Sequence, residues 1–174
     1  MNAKRTALAG AMCAVAVAAM LGIACGGSGA AAPAVCAPLA VASAGVAGVE
    51  GGQGTPYAAT LYGGLATISN LTNDLRLRWP GDEPSEDSQF RSAFTTYANT
   101  IVCTAHVLVA VPVPDASYNA FAAAFDKVMN DQAAIAEAGQ MAVQQRNVTK
   151  YREWIDREEA QPGRIRDAFT LLPR

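Results

Sequence analysis

Large apolar residues return at intervals of three and four along three separate stretches of this chain, and that spacing commits it to helices. In the first, "TPYAATLYGGLATISNLTNDLRLRWP", Tyr57, Leu61, Leu65, Ile68, Leu71 and Leu75 fall on one face, the signature of an amphipathic helix. Thr55 followed by Pro56 is an N-cap and first-turn pair, and Pro80 with Gly81 stops the helix. Gly63 and Gly64 weaken it by up to about 1 kcal/mol each relative to Ala, or else mark where another helix packs closely.

The second stripe is Phe90, Phe94, Tyr97, Ile101, Ala105 and Leu108, on a helix expected to start near Ser85 and to stop by Val111, ahead of "PVP". Its tail, "HVLVAVPV", also reads as a short strand. No second strand candidate exists to pair with it, so the helical reading stands. Asp115 caps a third helix, with Tyr118, Phe121, Phe125, Val128 and Ile135 on one face and Met129, Ala133, Ala136 and Val143 widening it. Continued to Glu159 this helix would be roughly 65 Å long at 1.5 Å per residue, overshooting its partners. A break is therefore expected near "RNVTK", residues 146–150. A fourth segment carries Tyr151, Trp154 and Ile155. Pro162 and Gly163 are expected to end it, and a short helix with Ile165, Phe169 and Leu172 closes the chain. The fold class is an all-α bundle of three to four main helices over residues 55–174. Phe94, Ile101, Phe121, Phe125, Leu65 and Ile68 should share its core.

What precedes the bundle is of another kind. Lys4 and Arg5 open the chain, and Thr6 to Ala24 carry no charge. A basic start, an apolar run and small residues at its end are the parts of an export signal. The run also approaches the length that spans a bilayer. Residues 26–54 hold one charge, Glu50, and no aromatic. Gly, Ala, Ser and Pro at that density bury too little surface to offset chain entropy, which makes this stretch a flexible tether.

Between signal and tether lies "LGIACGGSG". Small residues ahead of Cys25 resemble the lipobox of bacterial lipoprotein precursors, in which the cysteine is acylated and becomes the new N-terminus. Gly22 departs from the large aliphatic residue that family usually carries there, with Leu21 one place further back. The resemblance covers about thirty residues and concerns processing alone. It implies a signal peptide over 1–24, lipidation at Cys25, a tether over 25–54, and a membrane anchor in the bacterial cell envelope. Conventional cleavage after "GIA" or after "APA" would give a secreted soluble protein instead, and an uncleaved signal a transmembrane anchor.

Without residues 1–24 the chain keeps 11 basic and 15 acidic side chains, a balance of −4. Nucleic-acid binding calls for clustered Lys and Arg, so that class is set aside, and membrane attachment falls to the N-terminus. Cys13 lies inside the apolar run and leaves with the signal. Cys36 and Cys103 are then the remaining thiols, and an oxidising compartment lets them pair. Closing that loop would contribute about 4 kcal/mol by the chain-entropy account; two unpaired thiols are the alternative.

Candidate sites are few. His106 is the single histidine, an axial haem ligand or a metal ligand on one reading and a helix residue beside the core on the other. The acidic cluster Asp82, Glu83, Glu86 and Asp87 lacks the spacing of a calcium loop and suits a helix start, where the dipole favours carboxylates. "KYREWIDREE" sets Glu153 four before Arg157 and Arg152 four before Asp156, a solvated face. An exposed Trp154 there would recognise a partner. No nucleophile elbow, phosphate loop, zinc motif, di-iron pair or covalent haem motif is present. The expectation is a non-catalytic envelope lipoprotein, without cofactor or metal, whose helical domain binds an envelope protein; the alternative is a carrier with a pocket near His106.

Overall fold

The computed structural model describes residues 55–173, and every regular element among them is helical. Helix α1 spans Pro56–Arg78, α2 Ser88–Val109, α3 Asn119–Gln144 and α4 Val148–Phe169, with a 3-10 turn at Ala116–Tyr118 leading into α3. The expected all-α bundle is what these stripes build. The signal, Cys25, Cys36 and the tether lie outside the described residues.

Side-chain caps fix most of the starts. Thr55 Oγ1 accepts from the Ala58 N–H at 3.2 Å, and Pro56 occupies the first turn. The second helix begins slightly later than Ser85, because Asp87 Oδ1 takes the Gln89 N–H at 2.8 Å. Asp115 caps the 3-10 turn through the Ser117 N–H, also at 2.8 Å. The break expected at 146–150 falls at its near end. Arg146 adopts a left-handed φ of 53°, and Asn147 N–H reaches back to the Ala142 carbonyl at 2.9 Å, closing α3 as a Schellman turn does. Asn147 Oδ1 then accepts the Lys150 N–H at 3.0 Å and opens α4.

The helices run up, down, up and down. Thr72 meets Tyr97 while Gly64 meets Leu108, Asp131 meets Arg164 while Gly139 meets Trp154, and Tyr62 meets Phe169 while Arg76 meets Glu159, so α1 runs antiparallel to α2 and α4, and α3 antiparallel to α4. Aromatic rings fill the two ends of the bundle. Toward one end Phe94 packs edge-on to Trp154 with centroids 4.9 Å apart, flanked by Phe90, Tyr97 and Tyr151. Toward the other, Tyr57, Tyr118, Phe121, Phe125 and Phe169 form a second group. Phe90, Phe94, Phe121 and Phe125 are fully or almost fully buried. At about 1.5–3 kcal/mol for each large apolar side chain, these groups dominate the bundle's stability.

Two glycines set how closely the helices approach. A methyl at Gly64 would meet the Leu108 side chain at 2.5 Å, so α1 and α2 touch there, as the close-packing reading of that glycine pair expects. At Gly139 a methyl would strike the Trp154 indole at 2.6 Å. That second approach seats the indole against α3.

Three expectations are corrected. Pro162 does not end a helix: it lies inside α4, which continues to Phe169. A helix-interior proline removes one hydrogen bond and costs roughly 3 kcal/mol. Packing beyond it outweighs that cost, since Phe169 lies 5.1 Å from Phe121 and 5.9 Å from Phe125 by ring centroids and Arg164 bonds Asp131 at 2.7 Å. Leu65 is only half-buried, and lines a cleft beside the core rather than the core itself. The charges around Trp154 pair differently too: Glu153 with Lys150, and Arg152 with Glu83 across the fold, each at 2.8 Å.

Candidate functional site

Helix α1 packs on α2, α2 on α3 and α3 on α4, but α1 and α4 nowhere bring their Cα atoms within 8 Å. That fourth seam is open. Side chains still cross it: two outer struts, the Tyr62–Phe169 stack at 4.9 Å and the Arg76–Glu159 ion pair at 3.4 Å, and between them the Thr72–Glu158 hydrogen bond at 3.3 Å. Between the struts lies a cleft of about 530 Å³. Leu65, Ile68 and Ile165 give it apolar walls, and Gln132, Glu158 and Gln161 a polar floor. Beyond Arg76 a smaller cleft of about 210 Å³ continues toward Trp79 and Tyr151.

The floor is a buried hydrogen-bond cluster drawn from all four helices. Glu158 is only 6% exposed. Gln132 Nε2 donates to both its oxygens, at 3.0 and 2.9 Å, and the Tyr97 hydroxyl donates to Oε1 at 3.1 Å. Thr72 Oγ1 lies 3.3 Å from the same oxygen. A buried carboxylate persists only with such partners. Burial, and then the adjacent carboxylate, hold the Tyr97 phenol far above its ordinary range. Burial likewise pushes Tyr151 up to about 12. Both hydroxyls stay protonated and able to donate at any physiological pH.

Gln161 differs from its neighbours. It is 2% exposed, yet neither its amide nitrogen nor its oxygen meets a partner, and Nη2 of Arg76 is equally unpaired. Both residues line the larger cleft. These atoms are themselves buried, so a molecule seated in the cleft would meet them only once the side chains turn toward it.

The residues singled out in the sequence fall elsewhere. Trp154 is 3% exposed, held between Phe94 and Gly139. The partner-recognition reading of its side chain is therefore withdrawn: the charged residues around it face solvent while the indole faces the core. His106 is exposed in the last turn of α2 and lines neither cleft. Cys103 is half-buried on α2, and its expected partner Cys36 lies outside the described residues. The acidic loop serves structure: Glu83 pairs with Arg152, Glu86 with Arg146 at 2.9 Å, and Asp87 caps α2. Among the described residues no group of three or more His, Cys, Asp or Glu side chains converges to hold a metal ion, and no helix is long and apolar enough to cross a membrane.

Sequence reasoning missed Gln132, Glu158 and Gln161, although a signal for them existed. Each sits in the register of its helix's buried stripe, where an apolar residue is the rule. Comparison with known protein families, characterised proteins and solved structures finds no match for the chain.

Proposed function

We propose that this is a non-catalytic bacterial envelope lipoprotein, exported by residues 1–24 and anchored through an acylated Cys25, whose helical domain docks an envelope partner in the α1–α4 seam. The observation that carries the docking face is the open seam itself. Three helix pairs close on one another while the fourth leaves a cleft with a polar floor. His106, on which the carried-ligand alternative rests, is exposed and lines neither cleft. A bridge between Cys36 and Cys103 belongs to the same reading. About twenty residues of chain separate Cys36 from α1, ample length to reach α2.

Two experiments test it. Cys25→Ser should move the protein from the membrane to the soluble or secreted fraction; a variant that stays membrane-bound and uncleaved would mean a transmembrane anchor instead. A pull-down from membranes should recover a partner that is lost when Ser69, exposed on the cleft rim, is replaced by Trp. Recovery unchanged by Ser69→Trp would remove the seam as the docking face.

A further inference from the structure

The polar groups of the larger cleft specify what kind of segment it takes; this step rests on the seam being the docking face. Gln161 leaves one donor group and one acceptor without partners, and Arg76 leaves one further donor. Burying such groups unpaired costs about 1–3 kcal/mol each, and folded proteins keep few of them. Because the Gln161 carboxamide makes no bond, it can rotate toward the cleft without breaking one.

Charge narrows the ligand further. Arg76 is paired with Glu159, so the Glu158 carboxylate is left over among the charged groups lining the cleft, which disfavours an anion. A cation gains little, because Thr72, Tyr97 and Gln132 already surround the Glu158 oxygens. The complement that remains is neutral: two carbonyl oxygens for the Gln161 and Arg76 donors, and one N–H for the Gln161 oxygen. Alternate residues of an extended peptide backbone present that pattern along one edge. Leu65, Ile68 and Ile165 supply apolar contact for the side chains on either side, and about 530 Å³ lies within the usual range of roughly 300–1,000 Å³ for binding sites.

We infer that the cleft between the Tyr62–Phe169 and Arg76–Glu159 struts binds a short, uncharged, extended peptide segment of the partner. Gln161 pairs with the N–H and C=O of one extended residue, and Arg76 takes the carbonyl of the residue two places along, on the same edge.

The test uses the full chain, processed by a bacterial host, labelled with nitrogen-15 and titrated with N-acetyl-leucyl-leucinamide. Hexanoate and hexylamine serve as anionic and cationic probes of the same apolar character. The neutral dipeptide should give saturable amide shifts at Leu65, Ser69 and Ile165, with affinity at least tenfold above either charged probe. Ser69→Trp should abolish them. Gln161→Leu, with an unchanged circular-dichroism spectrum, should weaken binding at least tenfold. Absence of saturable shifts, tighter binding of a charged probe, or dipeptide binding that survives Ser69→Trp would overturn the inference. If Ser69→Trp loses the membrane partner while the dipeptide fails to bind, the ligand class is wrong and the docking face stands. If partner capture survives Ser69→Trp, the docking face itself falls.

Discussion

The α3–α4 and α1–α4 seams border the same helix and differ in almost everything else. At the first, Gly139 lets the Trp154 indole lie against α3, and aromatic rings from α2 close over it. At the second, the backbones stand apart, and contact is left to side chains: one aromatic stack, one ion pair and the Thr72–Glu158 hydrogen bond between them. One face of α4 thus carries Tyr151 and Trp154 into the core and, in the following turns, Glu158 and Gln161 to the floor of a cleft. The lesson concerns the energetics of polar residues. A carboxylate in the core register survives because α1, α2 and α3 each supply it a donor, and satisfying it holds α4 in place without closing the seam.

Removing the dry side should do the most harm. Phe94→Ala empties a fully buried site between Tyr97, Tyr151 and Trp154, and should cost about 3–5 kcal/mol in chemical denaturation, a large share of a small domain's stability. A loss under 1 kcal/mol would mean that the aromatic end is not the bundle's main support. Glu158→Ala comes next, at roughly 3 kcal/mol, because Gln132 and Tyr97 lose their acceptor. Adding Gln132→Leu to that variant should return part of the loss; a further loss instead would mean that Gln132 stabilises the fold independently of Glu158.

Gly139→Ala sharpens the comparison from the packed side. The added methyl meets a rigid indole, and overpacking costs about 1–3 kcal/mol, offset in part by up to about 1 kcal/mol of helix propensity. Thermal denaturation should show a lower midpoint; a stabilised variant would show that α3 and α4 can part easily. Tyr97→Phe removes one donor from a carboxylate that keeps others, for about 1 kcal/mol.

Alkaline pH separates the same side chains in another way. Tyr97 and Tyr151 are held above their unfolded value of 10.0, so their contribution is complete below about pH 10 and falls as pH rises. For Tyr151 the loss runs from about 10 to about 12. Phenolate absorbance followed together with circular dichroism should show both tyrosines ionising only as the helices melt. Ionisation of either well below pH 10 with helicity intact would contradict their burial.

The stripes made the bundle legible because a helix's own period decides which face is apolar, and Thr55, Asp87, Asp115 and Asn147 are capping residues at the places where helices start. The seam was not legible in the same way. Which pair of helices stands apart depends on lateral packing among all four, and no single helix's period contains it. Gln132 follows Met129 by three, Glu158 follows Trp154 by four, and Gln161 precedes Ile165 by four. Polar residues at those positions were the visible trace. Reading Trp154 through its charged neighbours hid this, because on a helix the residues adjacent in sequence face other ways. Pro162 misled for a related reason: local propensity marked a stop, and the packing of Phe169 and Ala168 carried the helix through it.

Site-specific photo-cross-linking in cells tests the central claim most directly. A photoreactive phenylalanine analogue would replace Ser69 on the cleft rim in one strain and Asn99, exposed on α2, in another. The open seam as docking face predicts a discrete cross-linked band from position 69 and none from position 99. Cross-linking from position 99 alone, or equally from both, would contradict it.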